Sequence, residues 1–302
     1  MTLPNFLVAG TFKAATTSIY EYLKQHPQIY MSPIKETKYF IYEAHNPEHV
    51  AARRLTYPIR TLEAYEKLFS DVKDEIAIGE VSPGYISSLH ALQQIYRTMP
   101  NAKIIFSLRN PIDRAYSGYT MRMRNGYESR KVQQAMHEEA LKFAEKTYYK
   151  QLLPWYEHFA AEQIKVVLFE DMKADAAHVM QELYRFLGVD AAFLPDVSYH
   201  QNVGGVPKSQ LRQSIINYVR RYRLLRFYLP KGLRVYFSEF ARTNLEKAPP
   251  LSADLRKKLS EIYCKDIDEL SALTGKDFSS WGLQGMTVTP VSHPAKELSK
   301  IS

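Results

Sequence analysis

A three-layer α/β fold, with a central parallel sheet flanked by helices, is predicted by three observations. Short apolar runs recur at residues 6–9, 76–81, 103–108 and 164–169, the pattern of strands buried on both faces. Amphipathic stretches separate them, and proline marks several of the junctions. The first run leads through a turn into a helix over 17–25, where Ile19, Tyr22 and Leu23 share a face and Pro27 stops the pattern. After the second run, Leu92, Ile95 and Tyr96 line one side of a helix over 91–98 that ends before Pro100. The third run closes on Arg109, and Pro111 opens the next helix. Residues 190–207 read as loop and 209–237 as a basic helical stretch. Residues 251–273 read as a last helix, carrying Leu255, Leu259, Ile262, Tyr263, Ile267 and Leu270. No repeat or linker divides the chain, so residues 1–302 read as one domain: a core over about 5–210, a helical part over about 209–282 and a flexible tail over 283–302.

Composition narrows the function. With 302 residues, 45% of them hydrophobic, the chain builds a sizeable core, which excludes disorder as its main state. Its apolar runs fall far short of the ~18 residues of a membrane-spanning helix. One cysteine, Cys264, excludes an internal disulfide framework and a cysteine-built zinc site. The first residues lack the pattern of a secretory signal, and the expected compartment is the cytoplasm. The net charge of +8 favours anionic ligands: a nucleotide, an acidic glycan, a nucleic acid or a lipid head group.

Two loops carry the chemistry. Gly10-Thr11-Phe12-Lys13-Ala14-Ala15-Thr16-Thr17-Ser18 is a turn with one lysine that opens a helix with hydroxyl residues. Helix-start N–H groups, hydroxyls and an ammonium converging there suit a phosphate. The spacing is not that of a Walker A loop, which argues against a kinase, and the plainer alternative is a helix capped by Thr16 or Thr17. The second loop begins at Arg109, at the carboxyl end of a buried strand, where open α/β sheets bind ligands, and Ser117 follows two helical turns on. Its alternative is an arginine paired with a surface acid.

On these two segments the chain resembles the sulfotransferases that use 3′-phosphoadenosine 5′-phosphosulfate (PAPS), which share a P-loop-NTPase-like fold. Lys35-Glu36-Thr37-Lys38-Tyr39-Phe40 and Gly79-Glu80-Val81-Ser82-Pro83-Gly84-Tyr85 are similar to two stretches of the heparan-type (glycan) and bacterial branch, and the likeness runs over about residues 5–210. The resemblance implies that Lys13 stabilises the departing phosphate. It places Ala14, Ala15, Thr16, Thr17 and Ser18 around the 5′-phosphate, and Arg109 and Ser117 on the 3′-phosphate. It makes Glu36 the general base and Lys208 a charge on a late loop, 202–209, that closes over the donor. His45 and His90 are weaker candidates for the base. Family members often carry glycine in the first loop, so Ala14 and Ala15 are expected at negative φ. Val81 stands where heparan-type enzymes often have lysine, leaving Glu80 to orient Lys13 or the acceptor.

The implied reaction is sulfuryl transfer from PAPS to a hydroxyl or amine of a carbohydrate, lipid or small-molecule acceptor, with no metal. The rival reading is a nucleotide- or nucleic-acid-binding module that uses a phosphate-binding fold without transfer. Residues 209–237 interleave six arginines, Arg212 and Arg220 among them, with apolar side chains. That pattern fits either a surface for an anionic acceptor or lipid head groups, or a packed helix whose arginines snorkel to water.

Overall fold

The computed structural model describes residues 2–42, 59–198, 205–221, 240 and 243–283. Strand β1 (Phe6–Val8) leads to α1 (Thr16–Leu23), β2 (Ile29–Met31), the short helices α2 (Tyr39–Tyr42) and α3 (Leu62–Glu66), and β3 (Ala77–Val81). Then come α4 (Leu89–Thr98), β4 (Lys103–Leu108), α5 (Pro111–Arg124), α6 (Val132–Glu145), α7 (Tyr148–His158) and β5 (Ile164–Leu168). Helices α8 (Phe169–Ala174) and α9 (Ala176–Leu187) follow, then β6 (Val206–Pro207), α10 (Gln210–Arg221), β7 (Leu245–Glu246) and α11 (Ala253–Thr274).

The main sheet has the order β2-β3-β1-β4-β5 with every pair parallel. Strand β1 lies at its centre, with Phe6 opposite Gly79 of β3 and Lys103 of β4. Four strands fall where the apolar runs predicted them. Strand β2 is an addition: three residues with Tyr30 half-buried present no run long enough to stand out. Val206 and Pro207, read as loop, pair antiparallel with Leu245 and Glu246.

Alternation along the strands separates two cores. Leu7, Ile104, Phe106, Leu108, Val166 and Leu168 face a layer made of α4, α5, α6, α7 and α11. Phe6, Val8, Ile105 and Val167 face α1 and α9. The two layers sandwich the sheet, giving the predicted three-layer architecture. Trp155 of α7 is 1% exposed, its ring edge-on to Phe106 at 5.2 Å, and a buried aromatic of this kind contributes about 1.5–3 kcal/mol. Helix α11 docks through Leu259, Tyr263, Ile267 and Leu270 into the same core as the sheet. Its buried Asp266 accepts from the N–H groups of Tyr148 at 3.1 Å and Tyr149 at 2.9 Å, which places a carboxylate on the open amino end of α7. Among the described residues no helix is long and apolar enough to cross a membrane.

Candidate functional site

The parallel sheet delivers the predicted residues to one edge. Lys13 follows β1, Glu36 follows β2, Glu80 is the penultimate residue of β3, and Arg109 follows β4, so all four stand at carboxyl ends of strands. The loop after β1 is laid directly on β4. Thr11 donates its N–H to the Ser107 carbonyl at 2.8 Å, and a Cβ on Gly10 would sit 2.1 Å from the Ser107 nitrogen, so only glycine fits there. The buried Ser107 hydroxyl donates to the Ala14 carbonyl, fixing the far side of the same turn.

Helix α1 starts at Ala15 with no side-chain cap, so the capping alternative for Thr16 and Thr17 does not hold. The N–H groups of Thr16, Thr17 and Ser18 belong to the helix's first turn, which has no intrahelical partners for them. Thr16 is buried, Thr17 is half-buried, and the Ser18 hydroxyl is hydrogen-bonded to Tyr22. Ala15 departs from expectation: its φ is +61°, not negative. The turn passes through the left-handed region to bring the chain round into the helix, and a Cβ in that conformation costs about 1–2 kcal/mol. Ala15→Gly is expected to raise stability in urea unfolding by about 0.5–1 kcal/mol, the steric relief less the entropy of a freer unfolded chain.

Ala15 is not alone. The described non-glycine residues with positive φ are Lys13, Ala15, Glu36 and Lys38, and all four lie in the loops after β1 and β2, which hold the predicted Lys13 and Glu36. Backbone strain of this kind persists where surrounding structure over-determines it, and it gathers at functional sites. At Glu36 the restraint is visible, since its N–H donates to the Val81 carbonyl at 2.8 Å.

Lys13 stands in a cationic setting. Burial, then the charges of Arg124 and Arg109, pull its ammonium below the usual lysine range. Arg109 donates through Nη1 to the Lys13 carbonyl at 3.1 Å and lies over the Phe169 ring at 4.2 Å. Its Nε is buried and has no hydrogen-bond partner among the described residues. Tyr148 donates to the Arg109 carbonyl at 2.9 Å. Asn110, next in the chain, accepts from Ile112 and Asp113 as the cap of α5 and donates to the Trp281 carbonyl at 2.9 Å. Glu170 accepts from the Asn110 N–H and from the Trp281 indole, tying the segment after α11 to the foot of Arg109. The Arg109 guanidinium thus meets a carbonyl and a ring, while the acids Asp113 and Glu170 act on it through charge. Ser117 is half-buried two turns into α5. A cavity of about 500 Å³ borders α5 at Tyr116, Tyr119 and Met123, a different face of the helix from Ser117.

The two carboxylates have opposite environments. Glu36 is paired with both neighbouring lysines, Lys35 Nζ at 2.9 Å and Lys38 Nζ at 3.4 Å, and its side chain is 30% exposed. Burial pushes its carboxyl up, but the Lys35 hydrogen bond and the two lysine charges outweigh that and hold it below the ordinary range. Glu80 is fully buried, and burial raises its carboxyl. Its oxygens accept from Tyr85 at 2.6 Å, Tyr65 at 3.1 Å, Ser82 at 3.1 Å and Thr37. These hydroxyls take up the carboxylate, so Glu80 braces the loop that holds Glu36 and does not orient Lys13.

Lys208 is exposed at the end of β6, its N–H bound to the Asn244 carbonyl at 2.8 Å. His90 lies in the first turn of α4. His45, residues 202–204 and residues 284–302 lie outside the described residues. Among the described residues no group of three or more His, Cys, Asp or Glu side chains is arranged to hold a metal ion. Sequence reasoning missed Ser107, Phe169 and Tyr148. The first is legible as a lone hydroxyl at the end of an apolar strand; the other two meet Arg109 only through the fold.

The model of the sulfotransferase family matches residues 4–193. A membrane-associated sulfotransferase of Dictyostelium discoideum is 35% identical over 120 residues, covering 39% of this chain and 22% of that protein. The human bifunctional heparan sulfate N-deacetylase/N-sulfotransferase 3 is 27% identical over 306 aligned positions, covering 92% of this chain and 31% of that protein. The chain thus spans less than a third of the length of these curated relatives. The crystal structure of a sulfotransferase from Alicyclobacillus acidocaldarius matches with a TM-score of 0.66 and 28% identity over 93% of this chain and 100% of that one.

Proposed function

The chain belongs to the sulfotransferase family, and from that premise we propose that it moves a sulfuryl group from PAPS to a hydroxyl or amine of an acceptor, by in-line displacement with a glutamate base. One observation carries the reading: an uncapped helix start, the Lys13 ammonium and a buried, partnerless guanidinium nitrogen of Arg109 gather at the adjacent ends of β1 and β4. Each is a group that a phosphate satisfies and that burial otherwise penalises. The donor supplies an activated sulfuryl group. The chain's residues do the rest. The N–H groups of Thr16, Thr17 and Ser18 hold the 5′-phosphate, Lys13 meets the negative charge that grows on its bridging oxygen, and Arg109 with Ser117 reads the 3′-phosphate. As the acceptor oxygen or nitrogen bonds to sulfur, the sulfur–oxygen bond to the phosphate breaks, the electron pair leaves on that phosphate, and Glu36 takes the acceptor's proton. A carbohydrate is the acceptor class best supported, through the heparan sulfate relatives and the Glu36 loop.

The test is calorimetric titration with adenosine 3′,5′-bisphosphate against adenosine 5′-phosphate. Binding that needs the 3′-phosphate supports the reading. Equal binding of both, or none, overturns it and favours a module that binds without transfer. In the same assay Arg109→Ala is expected to weaken the bisphosphate by about 1.5–3 kcal/mol, the scale of a charge-assisted contact, and to leave the monophosphate nearly unchanged.

A further inference from the structure

Helix α10 buries one polar and one apolar side chain and leaves three large apolar ones exposed. Gln213 and Ile216 are buried. Gln213 Nε2 donates to the Arg124 carbonyl at 2.6 Å, and Asn244 Nδ2 donates to Gln213 Oε1 at 3.1 Å, so a polar network seats the helix against the end of α5. On the outer side Leu211 is 75% exposed, Ile215 47% and Tyr218 62%. At 3.6 residues per turn these three fall within about 60° of one another and form one continuous stripe. Arg212 flanks the stripe, its guanidinium stacked on the Phe240 ring at 4.4 Å.

Charge decides what such a stripe meets. Between Asp196 and Glu239 the sequence holds eight lysines and arginines (Lys208, Arg212, Arg220, Arg221, Arg223, Arg226, Lys231 and Arg234) and no acid. A glycan or a nucleic acid would engage the cations and leave Leu211 and Ile215 in water. An anionic bilayer takes both, accepting the apolar side chains below its headgroups and flanking cations, Arg212 among them, at its phosphates. We propose that α10 docks the protein on an anionic lipid surface, with Leu211, Ile215 and Tyr218 entering the headgroup layer. The surface is independent of the chemistry at the strand ends, and its test needs no acceptor.

The experiment is co-flotation of the full chain with phosphatidylcholine vesicles containing phosphatidylglycerol at about 3:1, with pure phosphatidylcholine vesicles alongside. Expected is association with the mixed vesicles, about tenfold weaker on the neutral ones. The double substitution Leu211→Ser with Ile215→Ser removes exposed side chains, so unfolding temperature and bisphosphate binding are expected to match the parent while vesicle association falls about tenfold. Absence of association with the mixed vesicles overturns the proposal. So does undiminished association of the folded double variant, which would leave charge alone as the cause.

Discussion

Lys13→Ala is expected to slow transfer by about 10²–10³-fold while adenosine 3′,5′-bisphosphate binds within a few-fold of the parent, the scale of removing one preorganised group that stabilises transition-state charge. The substitution is clean in structural terms. Arg109 is held by the Lys13 backbone carbonyl, which alanine retains, and alanine in a left-handed conformation costs no more than lysine there. What disappears is an ammonium already weakened by burial and by two guanidinium neighbours. An anion arriving in the cradle reverses that balance, so the interaction strengthens as negative charge develops. Single-turnover rates and calorimetric affinities separate the outcomes. A loss confined to affinity would make Lys13 a binding residue only.

Glu36→Gln is expected to reduce turnover by about 10²–10⁴-fold, the usual contribution of a general base, with donor binding intact. Glutamine keeps the size and the backbone contact to Val81 but cannot take a proton. The acid limb of the pH–rate profile tests the same residue. A base works when ionised, and Lys35 and Lys38 hold the Glu36 carboxyl below the ordinary range, so the limb lies below the usual glutamate range. Replacing both lysines with alanine removes the charges that oppose burial, so the limb moves to higher pH. Turnover surviving Glu36→Gln would place the base elsewhere.

What was legible in the chain follows from the range of the interactions involved. Strands β1, β3, β4 and β5 are buried on both faces and announce themselves as apolar runs, and the residues just beyond them, Lys13 and Arg109, inherit their position from the strand. Residues such as Glu36 came from motif likeness; nothing in the spacing alone marks that loop as a fourth strand end, because β2 is three residues long. The hydroxyl cage of Glu80 draws on Thr37, Tyr65, Ser82 and Tyr85, which converge only after folding. The left-handed φ of Ala15 is not legible in the sequence, because residue type is a weak guide where tertiary contacts, here Ser107 on Ala14 and on Thr11, dictate the turn.

The ties beneath Arg109 have a consequence for the order of assembly. The strand end that presents it leans on Tyr148, which leans on Asp266, while Asn110 and Glu170 reach Trp281, 171 residues beyond Asn110. Contacts so distant along the chain close large loops and come late in folding. During synthesis the lysine turn can be laid on β4 once that strand is out. The arginine platform must wait for Trp281, beyond α11. The nascent protein therefore acquires the parts of the proposed phosphate cradle in two instalments, the lysine turn first and the arginine platform second.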